Sequence, residues 1–249
     1  MRYVICSDLH ANLEAVRAFE SSISVLDKLV ILGDFVGYNP DPEPVIEIMR
    51  RWDEEGRIFA KVTGNHDLAV TDLSVRARFT DHARSVISWT GDKLSAESKT
   101  WLAGLPVSGS LSSSVFYCHG SIRDTHEYIL DDQTALEVFD ELPVGGKVLF
   151  FGHTHFPIIL ELNQKREMTI YETADELEFK FKNDCLYLIN PGSIGQPRDG
   201  DPRLCYLVYD QENNTVTYHK KEYNFTATQN KIVSSGLPKL LALRLSEGK

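Results

Sequence analysis

The chain has 249 residues, 42% of them hydrophobic and 25% charged, enough to bury a full core without disulfide or metal staples. Its 36 acidic side chains outnumber 26 basic ones, for a net charge of −10, which repels phosphate backbones at long range and argues against nucleic-acid binding. No apolar run approaches the roughly 20 residues of a membrane span, so no membrane association is expected. Cys6, Cys118, Cys185 and Cys205 stand far apart, three of them in apolar strand-like runs, and are expected to be buried free thiols of a cytoplasmic protein.

In chain order, residues 3–6 read as a strand that ends in Ser7-Asp8-Leu9-His10. Asn12 then caps a helix through Leu13, Val16 and Phe19. A second strand over 29–32 ends in Gly33-Asp34, and Asp41-Pro42 opens a helix through Ile46, Met49 and Arg50. A third strand over 58–62 ends in Gly64-Asn65-His66-Asp67, and residues 81–98 read as helical. Strands over 115–118, 148–151 and 186–189 end in His119-Gly120, Gly152-His153-Thr154-His155 and Asn190-Pro191-Gly192-Ser193. Continuous apolar runs of this length fit strands buried on both faces. Residues 158–171 and 177–181 alternate apolar with polar, as antiparallel strands do, and 204–209 with 215–218 form a hairpin across Glu212-Asn213-Asn214. Two short helical patterns follow Thr226, separated by Gly236 and Pro238. The alternation of strand and helix makes this an α/β protein, with one domain over residues 1–221 and residues 222–249 as its C-terminal helical appendage.

The side chains at the strand exits carry the chemistry. Five of the eight histidines (His10, His66, His119, His153 and His155) stand there with Asp8, Asp34 and Asn65. Turn geometry favours Gly, Asn and Asp but not histidine, and ligands in such sheets sit outside the carboxyl ends of the strands. Imidazole mixed with carboxylate and amide oxygen suits a divalent transition metal such as Mn, Fe or Zn. Asp8 and His10 share one side of an extended exit, as do His153 and His155, and Asp34 has two oxygens with which to bridge two ions.

Asp8-x-His10, Gly33-Asp34, Gly64-Asn65-His66-Asp67, His119-Gly120 and Gly152-His153-Thr154-His155, in this order, resemble the calcineurin-like metallophosphoesterases over residues 3–209. The resemblance implies a four-layer α/β/β/α fold, a two-sheet β-sandwich flanked by helices. It implies Asp8, His10, Asp34 and His155 on one ion, and Asp34, Asn65, His119 and His153 on the second. His66 corresponds to the non-ligand catalytic histidine, and Asn65 is also a candidate for substrate contact. In such a site two cations make hydroxide available at neutral pH for in-line attack on phosphorus, and His66 protonates the leaving oxygen.

One departure bears on substrate. Where the family's protein phosphatases and symmetrical diadenosine tetraphosphatases carry an Asp-Arg pair, this chain has Gly37 and Tyr38. Residues 33–42 are similar instead to a prokaryotic branch of small phosphoesterases, some of which cleave dinucleoside polyphosphates asymmetrically. The missing phosphate grip is expected from the glycine-rich segment 190–198, whose backbone N–H groups cradle an anion with Arg198 as the clamp. Arg123, Thr125 and Tyr128 are candidates for the leaving group's pocket. His82, His126 and His219 are expected on surface or helix faces, and the acidic runs 53–55 and 131–132 in solvent.

The expected function is therefore dinuclear metal-dependent hydrolysis of a small phosphorylated molecule, a nucleotide, with manganese, iron or zinc as the metal. Asymmetrical hydrolysis of a dinucleoside polyphosphate such as diadenosine tetraphosphate is the alternative. A non-catalytic scaffold on the same fold is the alternative of another class, disfavoured by the complete ligand set and the presence of His66.

Overall fold

The computed structural model describes the backbone of residues 1–249 and every side chain except that of His82, so the expectation for His82 lies outside the described residues. Strands β1 (Arg2–Cys6), β2 (Lys28–Ile31) and β3 (Ile58–Lys61) are parallel, linked through helices α1 (Leu13–Ser22) and α2 (Pro42–Glu54). Helices α3 (Asn65–Thr71), α4 (Leu73–Arg76), α5 (Asp81–Lys93) and α6 (Ala96–Ala103) follow. Then come β4 (Ser108–Ser112), β5 (Val115–Cys118), α7 (Asp132–Asp140) and β6 (Val148–Phe150). The second half runs β7 (Ile158–Leu162), β8 (Met168–Glu172), β9 (Glu178–Lys180), β10 (Leu186–Asn190), β11 (Leu204–Asp210) and β12 (Thr215–Lys221), and closes with α8 (Phe225–Ser234) and α9 (Lys239–Glu247).

Two six-stranded mixed sheets result, in the orders β3-β2-β1-β11-β12-β9 and β4-β5-β6-β10-β7-β8. Period-two alternation explains the continuous apolar runs. In β1, Tyr3 and Ile5 enter the inter-sheet core with Val30, Leu32, Phe150, Ile189 and Tyr218, while Val4 and Cys6 face the opposite layer, with Phe19 of α1 and Val45, Met49 and Trp52 of α2. The second sheet's outer face carries Leu149, Phe151 and Leu188 beneath Ala135, Val138 and Phe139 of α7. This is the expected helix-flanked sandwich. All four cysteines are free and buried, and among the described residues no helix is long and apolar enough to cross a membrane.

Several local expectations change. The helical stretch 81–98 is two helices, because Leu94 is extended and the Ser95 hydroxyl accepts from Ser98 N–H (3.1 Å), capping α6. Asp41 precedes α2 but makes no cap bond; its carboxylate accepts from Lys231 Nζ of α8 (2.8 Å). Neither acidic run is simply solvated, since Asp53 pairs with Lys61 and the Trp101 indole, and Asp131 caps α7. Helices α8 and α9 pack Ile232, Leu237, Leu241 and Leu245 against Val86, with Trp89 and Tyr38 at the margin. The Thr228 hydroxyl donates to Asn12 Oδ1 (3.0 Å), and Lys231 pairs with Glu14 as well as Asp41.

Candidate metal centre

The carboxyl ends of the parallel strands β1, β2 and β3 meet those of β5 and β6, and the junction collects the predicted side chains. The exits are zipped by backbone bonds: Asp8 N–H donates to Gly33 O (3.1 Å) and His10 N–H to Asp34 O (2.9 Å). Asp8, His10, Asp34, His153 and His155 all have left-handed backbone, with φ between 46° and 67°. Such conformations are uncommon for these residues and concentrate where a side chain has to be aimed. Gly64, at the end of the β3 exit, makes room for the centre: a Cβ there would overlap Asp34 Oδ1.

Two buried clusters result, Asp8 with His10 and His155, and Asp34 with His119 and His153, each holding its ligand atoms within 4.8 Å of one another. The hydrogen bonds of the imidazoles decide what the clusters are for. His10 Nδ1 lies 3.0 Å from Val36 O and His155 Nδ1 lies 2.6 Å from Gln196 O. A carbonyl only accepts, so both Nδ1 atoms carry the proton and both Nε2 atoms are lone pairs. Those two lone pairs face each other at 3.0 Å, with Asp8 Oδ1 3.2 Å from His155 Nε2. Burial lowers the pKa of both rings, so both are neutral, and the convergence of acceptors calls for a cation.

The second cluster repeats the pattern. His119 Nδ1 donates to Leu32 O (2.7 Å), which turns its Nε2 toward Asp34 Oδ2 (3.3 Å) and Asn65 Oδ1 (3.2 Å). His153 Nε2 donates to His126 O (3.2 Å), leaving Nδ1 as its lone pair. Asp34 Oδ2 also lies 3.5 Å from His10 Nε2, between the clusters. Asp8 Oδ1 and Asp34 Oδ2 are buried without hydrogen-bond partners, a costly arrangement for acceptors unless a cation compensates. Burial pushes the Asp34 carboxyl up, but His119 and His66 more than offset it and hold it well below the usual carboxylate range. Burial also opposes protonation of His119, yet the adjacent Asp34 carries its pKa up to about 9; a metal would displace that proton. The donor set and its orphaned oxygens therefore fit two divalent ions.

Residues 1–214 match the calcineurin-like phosphoesterase superfamily domain. The chain belongs to this superfamily. It is similar to a metallophosphoesterase of Sphaerobacter thermophilus, 33% identical with a TM-score of 0.85, covering 100% of this chain and 99% of that one. An uncharacterised protein of Methanocaldococcus jannaschii is 29% identical over 98% of this chain and 97% of its own length. A hypothetical protein of Pyrococcus horikoshii shares the fold at 20% identity, with a TM-score of 0.79 over 100% of this chain and 98% of its own. The protein is thus a metal-dependent phosphoesterase of a dimetal family.

Within the calcineurin-like site, His66 lies in the first turn of α3 beside the two clusters. Its backbone N–H donates to Asp34 Oδ1 (2.9 Å), and its buried Nδ1 has no partner and packs where a Gly37 side chain would stand. Asp67 does not touch the imidazole: its carboxylate accepts from Gly64 N–H (2.9 Å) and Val36 N–H (3.2 Å), tying two exits together. Tyr38 places its ring 4.5 Å from those of both His10 and His66.

The predicted phosphate grip is corrected in two places. The segment 190–198 offers little of the expected anion cradle, because four of its N–H groups are engaged within the protein: Gly192 on Asn190 Oδ1, Ile194 on Ser7 O, Gly195 on Asp8 O and Gln196 on Ser193 Oγ. Arg198 remains as the candidate grip. Its guanidinium stands 5.8 Å from the centre of the Tyr38 ring and bonds neutral oxygens, Tyr38 Oη (3.4 Å) and Gln196 Oε1 (3.1 Å), with the Tyr128 hydroxyl beside it as well, while its buried Nε has no partner. Arg123 is withdrawn as a substrate contact, since three carboxylates, Glu127, Glu137 and Glu141, already engage its charge at the surface.

Sequence reasoning passed over Tyr38 as a site residue and over Phe79 altogether, and expected His126 on a surface or helix face. His126 is half-buried rather than superficial and its carbonyl holds His153. His219, by contrast, lies with Asp175 and Glu176, away from the two clusters. No signal in the chain marks the carbonyls of Leu32, Val36, His126 and Gln196 that set the imidazole tautomers, since any residue supplies a carbonyl.

Proposed function

We propose that the protein hydrolyses a small phosphate ester, a nucleotide, with two divalent ions held as the paired clusters suggest. Asp8, His10, Asp34 and His155 would hold one ion, and Asp34, Asn65, His119 and His153 the other, with Asn65 also facing the substrate. The observation that carries this reading is the pair of Nε2 lone pairs of His10 and His155 facing each other over Asp8 Oδ1. When bound, divalent ions supply a nucleophile at neutral pH and offset the charge of the phosphoryl oxygens; manganese, iron and zinc all suit this mixed donor set.

The chain's own residues do the rest. Asp34 binds His66 N–H through Oδ1 and so fixes the start of α3 relative to the centre. His66 is the general acid for the leaving oxygen. Burial lowers its pKa to about 4, and a substrate phosphate brought beside it raises that value again. Arg198 takes a non-bridging phosphate oxygen, exchanging its neutral partners for an anion. A charged clamp beside the centre also supports a dinucleoside polyphosphate, cleaved asymmetrically, as the second reading. Packing of α8 and α9 onto Val86 and the Asn12 loop supports reading residues 222–249 as part of the same domain. Free buried cysteines support a cytoplasmic location.

The test is product analysis. Manganese-loaded protein is incubated with bis(p-nitrophenyl) phosphate and separately with diadenosine tetraphosphate, with a chelator control. Chelator-sensitive release of nitrophenol supports the reading, and ATP plus AMP from the second substrate supports the asymmetrical alternative. Turnover that survives the chelator and His66→Ala refutes the mechanism.

A further inference from the structure

Resting on that reading of the reaction, we propose that the wall beside His66 is a nucleoside-binding subsite, where the rings of Phe79 and His126 give the base of the leaving group aromatic contacts. A leaving group protonated by His66 has to lie against that imidazole. Apart from the proposed ligand His10, the rings that flank His66 are Tyr38 at 4.5 Å and Phe79 at 5.1 Å. Phe79 in turn stands 5.1 Å from the His126 ring, and the half-exposed Tyr128 lies 3.8 Å from His153. A leaving group that runs outward from His66 therefore passes along a line of rings. An open-chain polyol finds little to bond there, whereas a planar base finds ring contacts.

His126 extends the wall with a second ring. Its Nδ1 faces the Thr125 hydroxyl at 3.5 Å and its Nε2 is enclosed, so the ring itself, and not that nitrogen, is what it offers a base. The wall is also held in place. Arg78 grips both oxygens of Asp124 (3.2 and 2.6 Å), Asp124 Oδ1 accepts from His126 N–H (2.9 Å), and Arg84 donates to Phe79 O (2.7 Å). The His153 Nε2 bond to His126 O ties the same loop to the second cluster. A wall so fixed before binding loses little entropy when a ligand arrives.

The test separates base recognition from the phosphate. Calorimetry on metal-loaded protein compares non-hydrolysable C–P phosphonate analogues of adenosine 5′-phosphate, cytidine 5′-phosphate and ribose 5-phosphate. At least one base-bearing analogue is expected to bind about tenfold more tightly than the ribose analogue, a ratio within the range of ring stacking. Phe79→Leu and His126→Ala are each expected to cut that ratio severalfold, and the second variant leaves the backbone carbonyl that holds His153 in place. A ratio near one for both bases in the unaltered protein, or a ratio unchanged in both variants, overturns the proposal. If bis(p-nitrophenyl) phosphate is hydrolysed while the ratio is one, only the subsite falls. If base selectivity is present without metal-dependent hydrolysis, the subsite stands and the reaction falls.

Discussion

Asp34→Asn isolates the charge proposed to bridge the two ions while keeping the side chain's shape. Asp34 Oδ1 accepts from His66 N–H, and Oδ2 sits 3.3 Å from His119 Nε2 and 3.5 Å from His10 Nε2. In the variant the amide oxygen keeps the first bond and the amide nitrogen turns toward the imidazole lone pairs as a donor, so the metal-free fold survives. Its melting temperature is expected within about 3 °C of the parent, since the bond to His66 N–H is kept and the other oxygen, which has no hydrogen-bond partner, gives way to a donor. Metal binding fares differently. In the proposed centre each ion would lose one charged oxygen, a contact of about 1.5–3 kcal/mol, which would weaken each site by roughly 10- to 150-fold. For the parent, manganese at a hundred times its dissociation constant adds about 2.7 kcal/mol of stability; after a hundredfold loss of affinity the same concentration adds only about 0.4 kcal/mol. Thermal melts with and without manganese, paired with metal content after dialysis, read this directly. A variant that keeps the parent's metal-dependent rise in melting temperature and its activity within a factor of ten refutes the bridging assignment.

Arg198→Gln is expected to lower kcat/KM for a phosphate ester by about 10- to 100-fold through loss of one charge-assisted contact, whereas Arg123→Gln, whose partner carboxylates lie at the surface, leaves it within twofold; steady-state kinetics on both variants decide the matter. Gly37→Ala puts a methyl group against His66 Nδ1 at a backbone φ of +98°, and is expected to cost about 1–3 kcal/mol, or roughly 2–10 °C in melting temperature, with activity falling as His66 shifts. Thr228→Val removes the hydroxyl bonded to Asn12 Oδ1 and is expected to lose about 1 kcal/mol by denaturant melts. Arg203 holds the Asp201 carboxyl below the usual carboxylate range, against a smaller opposing effect of burial. With the folded pKa depressed, its stabilisation is present above the unfolded value near 4 and is lost as pH falls through the folded one. The melting-temperature gap between the parent and Asp201→Asn is thus expected to hold constant above about pH 5 and to narrow progressively below about pH 4; a gap as wide at about pH 2 as at about pH 6 contradicts the pairing.

What the chain determined alone is periodic and local. Apolar runs marked the strands of the parallel triplets because both faces of those strands are buried, with Ile5 and Val4 in different cores. The exit residues Asp8, His10, Asp34, Asn65, His66, His119, His153 and His155 were legible because histidine at a turn has no conformational reason to be there. Strand β4, written Ser-Gly-Ser-Leu-Ser, and the single turn α4 escaped, since neither carries an apolar face strong enough to show a period. Tertiary structure alone decided that β9 leaves its chain neighbours to pair with β12 in the other sheet, because strand partners are set by core burial across the whole molecule. It also decided which arginine stays free. Arg123 and Arg198 look alike in the chain, but the one meets Glu137 of α7 and the other neutral oxygens such as those of Tyr38 and Gln196. The imidazole tautomers depend on carbonyls brought from distant loops, and the loop of His126 is tied to that of Phe79 by the Arg78–Asp124 bond across 46 residues. Such contacts carry no sequence signature, because charge, carbonyl and ring acquire their chemistry here from what the fold sets beside them.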